Sequence, residues 1–352
     1  MASLQRLLPL WLDKCPQVHD VMSRLWQRRP PSPAEPWNLI FYEDEITPGN
    51  VLRADNKRKL HAFYASFLEF GELLDMEYFW VHFATLRSCV EKTVQGRLSR
   101  VVRDILLGWF GEGGFGVDGA GVAIELLDAA GNPMAVRCWA TLWDTLADSD
   151  GQRMIWGIKG AGGLRPCFAC AHVTKKGSCL SGAQVSIACR DPTLFGQKTD
   201  AEQWAAVDEL HQMRADGAGK TRISTRETEL GININPGGLL QCVALRPYVK
   251  PSAYRHDPMH VLLSEGIVQH EVGALMQALS RIGIRYSDLQ SFFLVKATSG
   301  TADPAARSIR PRRSRTSLQA FVRGALQRRK GSMPSHQRRW TFSCRFSSTW
   351  RL

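Results

Sequence analysis

The chain has 352 residues, 44% of them hydrophobic, and a formal net charge of +12. That size and composition suit a globular protein with a sizeable core, in one large domain or two smaller ones, and exclude a chain too polar to fold. The charge is local. Thirteen of the 45 Lys and Arg residues lie after Asp303 with no acid among them, leaving 32 basic and 33 acidic side chains before it, a net of −1.

Nine cysteines, eight scattered between Cys15 and Cys242 and one in the tail, do not form a secreted disulfide framework and point to a reducing compartment. No apolar run reaches the roughly 18 residues of a membrane helix. The opening segment is broken by Arg6 and Pro9 and lacks the small-residue cleavage site of a signal peptide. A soluble, intracellular protein is expected, with no membrane partner and no evident small-molecule substrate.

Apolar residues from Leu4 to Trp11 and from Val18 to Leu25 recur at helical spacing, predicting one or two amphipathic helices over 1–27. The proline-rich stretch Arg28–Pro36 cannot continue them. Trp37–Glu45 reads as a strand ending in acids, followed by a turn at Pro48-Gly49-Asn50, and Lys59–Phe70 as a second strand. Between Trp80 and Leu107, Val90, Val94, Leu98, Val101, Val102 and Ile105 predict a helix, ended by the glycines of 108–116.

Val122–Leu127 and Met134–Trp143 flank Asp128-Ala-Ala-Gly-Asn-Pro133, a hairpin signal whose second strand runs on toward Asp148. A glycine-rich stretch, Lys159–Gly163, leads into Cys167-Phe-Ala-Cys170. Thr199–Ala215 predicts a surface helix with Trp204, Val207, Leu210 and Met213 as its stripe. Residues 231–249 are irregular, and a further helix starting near Pro258 carries Val261 through Leu279.

Two cysteines two residues apart, with His260 downstream in His256-Asp-Pro-Met-His260, have the makings of a tetrahedral zinc site. A lone CxxC also serves redox chemistry, or is two small buried residues. The glycine-rich approach favours zinc, with Cys167, Cys170 and His260 as ligands and the fourth left among His256, His172, Cys179 and water. Asp44 and Asp148 each end a strand-like run. Carboxylates converging at adjacent strand ends hold Mg²⁺ or Mn²⁺ for phosphodiester chemistry, although single aspartates there more often cap turns or helices.

The ordered set Tyr42-Glu-Asp-Glu-Ile-Thr-Pro-Gly-Asn50, Ala147-Asp148, Lys159–Cys170 and Asp257-Pro-Met-His260 resembles eukaryotic cut-and-paste DDE transposases. The nearest match is the CACTA/Mirage/Chapaev group, and more distantly the vertebrate antigen-receptor recombinase, over roughly residues 37–280. The resemblance implies an RNase H-like fold with Asp44 and Asp148 as the catalytic aspartates. Cys167 and Cys170 match its C(2)C motif, and Asp257 and His260 its D(2)H motif. It also implies a catalytic glutamate on a later helix. Past His260 the only acids are Glu265, Glu271, Asp288 and Asp303, the first two too close to the motif. A truncated or degenerate copy, inactive for want of the third carboxylate, is the resulting expectation.

The expected fold class is therefore α/β (α+β): an incomplete RNase H-like mixed sheet with flanking helices, a helical zinc-binding insertion and a disordered basic tail. Its segments are 1–36 (helices and linker), 37–160 (core strands), 161–290 (the insertion) and 291–352 (the tail). Arg310, Arg312, Arg313, Arg315, Arg328, Arg329 and Lys330 would contact DNA phosphates or act as a nuclear-import signal. DNA is the expected partner and a homodimer is possible. The location would be nuclear, or cytoplasmic if the tail is no import signal. The rival functions are a non-enzymatic zinc-stabilised nucleic-acid-binding or interaction protein, and a dithiol oxidoreductase using Cys167 and Cys170.

Overall fold

The computed structural model describes residues 4–47, 59–111, 114–116, 119–187, 189, 191–258, 260–264, 267–285 and 287–289. The turn expected at Pro48-Gly49-Asn50 and the tail, with all seven of its named basic residues, lie outside them. The chain divides into two units, the first running through Asp257 and the second beginning at Pro258.

The first unit is mixed α/β. Helices α1 (Leu4–Lys14) and α2 (Pro16–Arg28) open it, with Pro16 at the first turn of α2, where its missing N–H costs nothing. Strand β1 (Trp37–Ile46) then pairs antiparallel with β2 (Leu60–Phe67), and β2 antiparallel with β3 (Val81–Arg87). The helix expected over 80–107 is thus replaced in its first third by an edge strand. A short helix α3 (Ser88–Glu91) follows, and only then α4 (Arg97–Phe110), which carries the predicted apolar stripe.

The hairpin forms as β4 (Val122–Leu127) and β5 (Pro133–Cys138), with Asp128 Oδ1 accepting from the Ala130 and Asn132 N–H groups in the turn. Its second strand does not run on to Asp148 as expected. The chain breaks at Trp139, and β6 (Ala140–Ala147) joins the main sheet, parallel to β1. Trp139 fits this corner because Gly121, at φ +67°, leaves room for the indole. After α5 (Ser149–Trp156) come a two-residue parallel pair, β7 (Val173–Thr174) with β8 (Val185–Ser186), then α6 (Asp200–Ala215) and α7 (Lys220–Leu230). Thr199 and Glu202 form a reciprocal capping box at the start of α6.

Strand β9 (Tyr254–His256) completes the five-stranded sheet, in the order β3-β2-β1-β6-β9, by parallel pairing with β6. This strand comes from a stretch the sequence assigns to the insertion, so the main sheet is closed by residues more than a hundred positions beyond its other strands.

Period-two alternation sends Trp37, Leu39 and Phe41 of β1, with Phe63, Ala65 and Phe67 of β2, into one core. Trp109 of α4 seals it, its ring 5.9 Å from Phe41 and 4.7 Å from Phe83. The N-terminal helices brace the hairpin: Gln27 Nε2 donates to the Leu127 carbonyl, and Ser23 Oγ accepts from the Leu127 N–H.

In the second unit a π-helical turn (His260–Ser264) precedes α8 (Ile267–Arg281), so the helix expected from near Pro258 starts irregularly. Among the described residues no helix is long and apolar enough to cross a membrane.

Trp109 buries its whole indole between sheet and helix. Trp109→Ala is expected to lower stability by about 3–5 kcal/mol in denaturant titration, the usual cost of an aromatic cavity.

Candidate active site

Parallel strands share a direction, so β1, β6 and β9 all finish at one edge of the sheet. The β1–β6 register pairs Tyr42 with Leu146, and the β6–β9 register pairs Ala147 with His256. Asp44 lies two residues past the last β1–β6 pair, while Asp148 and Asp257 are the residues that directly follow β6 and β9. The Asp257 N–H extends the last ladder by donating to the Ala147 carbonyl at 2.9 Å. Asp44 lies near the end of β1, and Asp148 directly follows β6 as the N-cap of α5. Asp257, read from sequence only as part of a zinc motif, lies at the same edge.

Each aspartate has its own setting. Asp148 caps α5, its Oδ1 accepting from the Gly151 N–H at 2.5 Å. Asp257 is 6% exposed and accepts a 3.2 Å hydrogen bond from the Tyr42 hydroxyl. Burial lifts the Tyr42 phenol far above its ordinary pKa, and the charges of Asp44 and Asp257 lift it further. Tyr42 thus stays a neutral donor toward the edge.

Alternation turns Glu43 to the opposite face, where it is 1% exposed. There its Oε1 meets His61 Nδ1 of β2 at 2.7 Å. Burial pushes Glu43 above the usual carboxylate range; the His61 hydrogen bond and charge oppose this, and the Asp148 and Asp44 charges add to it. Burial also opposes the His61 imidazolium, but the hydrogen bond and charge of Glu43 outweigh it and hold His61 above its ordinary value. Sequence reasoning missed this pair. The available signal was a glutamate at the inward position after Trp37, Leu39 and Phe41.

Cys167 and Cys170 form a half-buried knuckle on the loop before β7. Its approach is pinned where Lys159 N–H donates to Gly231 and Leu164 N–H to Thr228. Gly231 sits at φ +77°, and a side chain there would run into the Arg165 carbonyl. The hydrogen bond from Cys170 draws the Cys167 thiol down to about 6 despite burial, helped by the Cys170 and Ala169 N–H groups and the Lys198 charge. Phe168, between the two cysteines, is buried with its ring 5.4 Å from Tyr254 of β9 and 5.7 Å from Trp156.

The other proposed zinc ligands are less available. His256 Nε2 and the Tyr254 hydroxyl share a 2.7 Å hydrogen bond, and burial holds the ring below its ordinary pKa against the Asp148 charge. His172 Nε2 donates to the Leu194 carbonyl at 2.6 Å. Cys179 is exposed, and His260 belongs to the second unit. The donor chemistry fits two different ions: thiols for zinc at the knuckle, carboxylate oxygens for Mg²⁺ or Mn²⁺ at the strand edge. Among the described residues, however, no three His, Cys, Asp or Glu side chains are grouped as a ready metal site.

Compared with known proteins, the chain matches no family model, no curated protein and no solved structure.

In protein treated with a chelator, alkylation of Cys167 by iodoacetamide is expected to rise through a midpoint near pH 6, well before exposed Cys89 and Cys179 react. Peptide mass mapping across pH reads this directly. A Cys167 that reacts only above about pH 8, as a free thiol does, contradicts the thiolate-stabilising knuckle.

Proposed function

We propose that this chain is a transposase-derived DNA-acting protein whose strand edge is built for metal-dependent phosphodiester cleavage and transfer. The observation that carries the reading is the parallel pairing of β1 with β6, whose register runs to Tyr42 opposite Leu146, two residues before Asp44 and Asp148 respectively. An RNase H-like reading of that sheet is supported by β1 at its centre, with antiparallel β2 and β3 on one side and parallel β6 and β9 on the other.

Asp44 and Asp148 are the residues that would hold Mg²⁺ or Mn²⁺. The bound ion would supply activation of a water or 3′-hydroxyl and stabilise the leaving oxygen. Asp257 adds a carboxylate that does not depend on any later helix, and Tyr42 steadies it by hydrogen bonding. The glutamate missing after His260 then need not leave the edge with two acids. Cys167 and Cys170 would hold structural zinc, and the basic tail would bind DNA phosphates and direct the protein to the nucleus.

A second reading is a zinc-stabilised DNA-binding protein without catalysis, which needs the thiolate-stabilising Cys167–Cys170 knuckle and no convergent acids. Plasmid nicking in Mn²⁺ separates the two. Under the proposed function the chain nicks DNA, and Asp44→Asn or Asp148→Asn lowers the rate at least about 100-fold, as when a transition-state electrostatic contact is removed. DNA retardation should persist in both variants. A chain that retards DNA but never nicks it belongs to the second reading.

A further inference from the structure

The buried pair behind the strand edge contacts the same helical turn that Asp148 caps. Gly151 lies in the first turn of α5 and is buried. A Cβ built there would overlap Glu43 Oε2, while standing 3.0 Å from Ala147 Cβ and 3.1 Å from Asp148 Oδ1. Its φ is not in the left-handed region, so the residue is glycine because of space and not because of backbone conformation. The carboxylate of Glu43 therefore rests directly on the backbone of Gly151, whose N–H is held by Asp148.

Glu43 itself has little freedom. It leaves β1 one residue before Asp44, and its other oxygen is fixed by His61 Nδ1 at 2.7 Å. His61 is held on β2, where the β1–β2 ladder pairs it with Glu45. Two charged side chains at 1–2% exposure are costly to bury, and each is tolerated because it partners the other.

We propose that Glu43 and His61 are positioning residues: the pair clamps the first turn of α5 against the sheet and so fixes the carboxylate of Asp148 at the strand edge. The inference rests on the proposed function for its consequence, metal binding, but the clamp itself is a statement about Gly151. Neither Glu43 nor His61 touches substrate in this role. Both act through the Asp148–Gly151 hydrogen bond.

The experiment uses the full chain with Mn²⁺ alone as probe. Affinity is read by calorimetry, thermal unfolding is followed in parallel, and hydrogen exchange is measured at the Gly151 amide. Glu43→Ala is expected to weaken Mn²⁺ binding by about tenfold, as when a group orienting a metal ligand is removed, and to speed Gly151 exchange. Glu43→Gln keeps the shape and the acceptor for His61, and should restore most of both. Gly151→Ala, whose methyl group would push the Glu43 carboxylate off the same turn while keeping both side chains of the pair, should reproduce the loss; it also serves if Glu43→Ala does not fold.

Unchanged Gly151 exchange and unchanged Mn²⁺ affinity in the folded variants overturn the clamp. Equal losses in Glu43→Gln and Glu43→Ala overturn it too, because they show that charge and not position is what the metal needs. A wild-type chain that binds no Mn²⁺ sinks the proposed function instead. The clamp is then decided by Gly151 exchange alone, supported if Glu43→Ala accelerates it and overturned if it does not.

Discussion

A strand pairs in parallel with its neighbour only if the chain travels back to the same starting edge, which a tight hairpin cannot do. Between β1 and β6 that journey takes in β2 and β3 of the same sheet, then α4 and the separate β4–β5 hairpin. The same constraint returns at β9, reached only after α6 and α7. Each return brings another C-terminal strand end to the same edge, and with it Asp44, then Asp148, then Asp257. Parallel pairing thus does more than hold the core. It leaves each strand end with a carboxylate whose charge is accommodated locally.

That accommodation differs on the two faces of β1. Asp148 gives its carboxylate to the N-terminus of α5, where free N–H groups and the helix dipole favour negative charge. Asp257 takes a hydrogen bond from a phenol that burial keeps neutral. Glu43, facing inward, has neither water nor a free helix end and depends on His61. Three partners of different chemistry stabilise an arrangement that hydrophobic packing alone would reject. Such local conflict with an otherwise apolar strand is expected where a fold serves something besides stability.

Much of this was legible in the residues, and the failures have physical reasons. β1, the β4–β5 turn and α6 carry local signals strong enough to act alone: alternation, an Asp-Ala-Ala-Gly-Asn turn, a capping box. The edge strand β3 was hidden because Val81–Arg87 is only half-covered and precedes a genuine helical stripe, so one period absorbed the other. The break at Trp139 has no local signature, since Met134–Trp143 is one apolar run. Which half joins which sheet is settled by tertiary pairing and by the space beside Gly121. β9 is three residues long, below what any periodicity can show. The place of Asp257 directly after that strand was therefore invisible too.

The cysteine knuckle gains a physical connection to the edge through the same short strand. Phe168 lies between the two cysteines in sequence and packs on Tyr254, the first residue of β9. Tyr254 is hydrogen-bonded to His256 two residues on, and Asp257 follows. Trp156, at the end of the helix that Asp148 begins, touches Phe168 from the other side and donates to Thr145 of β6. A three-residue edge strand has few backbone bonds of its own, so side-chain packing must supply much of what holds it to β6. The knuckle provides that packing through one buried ring. Whatever occupies the two thiols acts first on the loop that presents Phe168, and through it on the strand that carries the third aspartate.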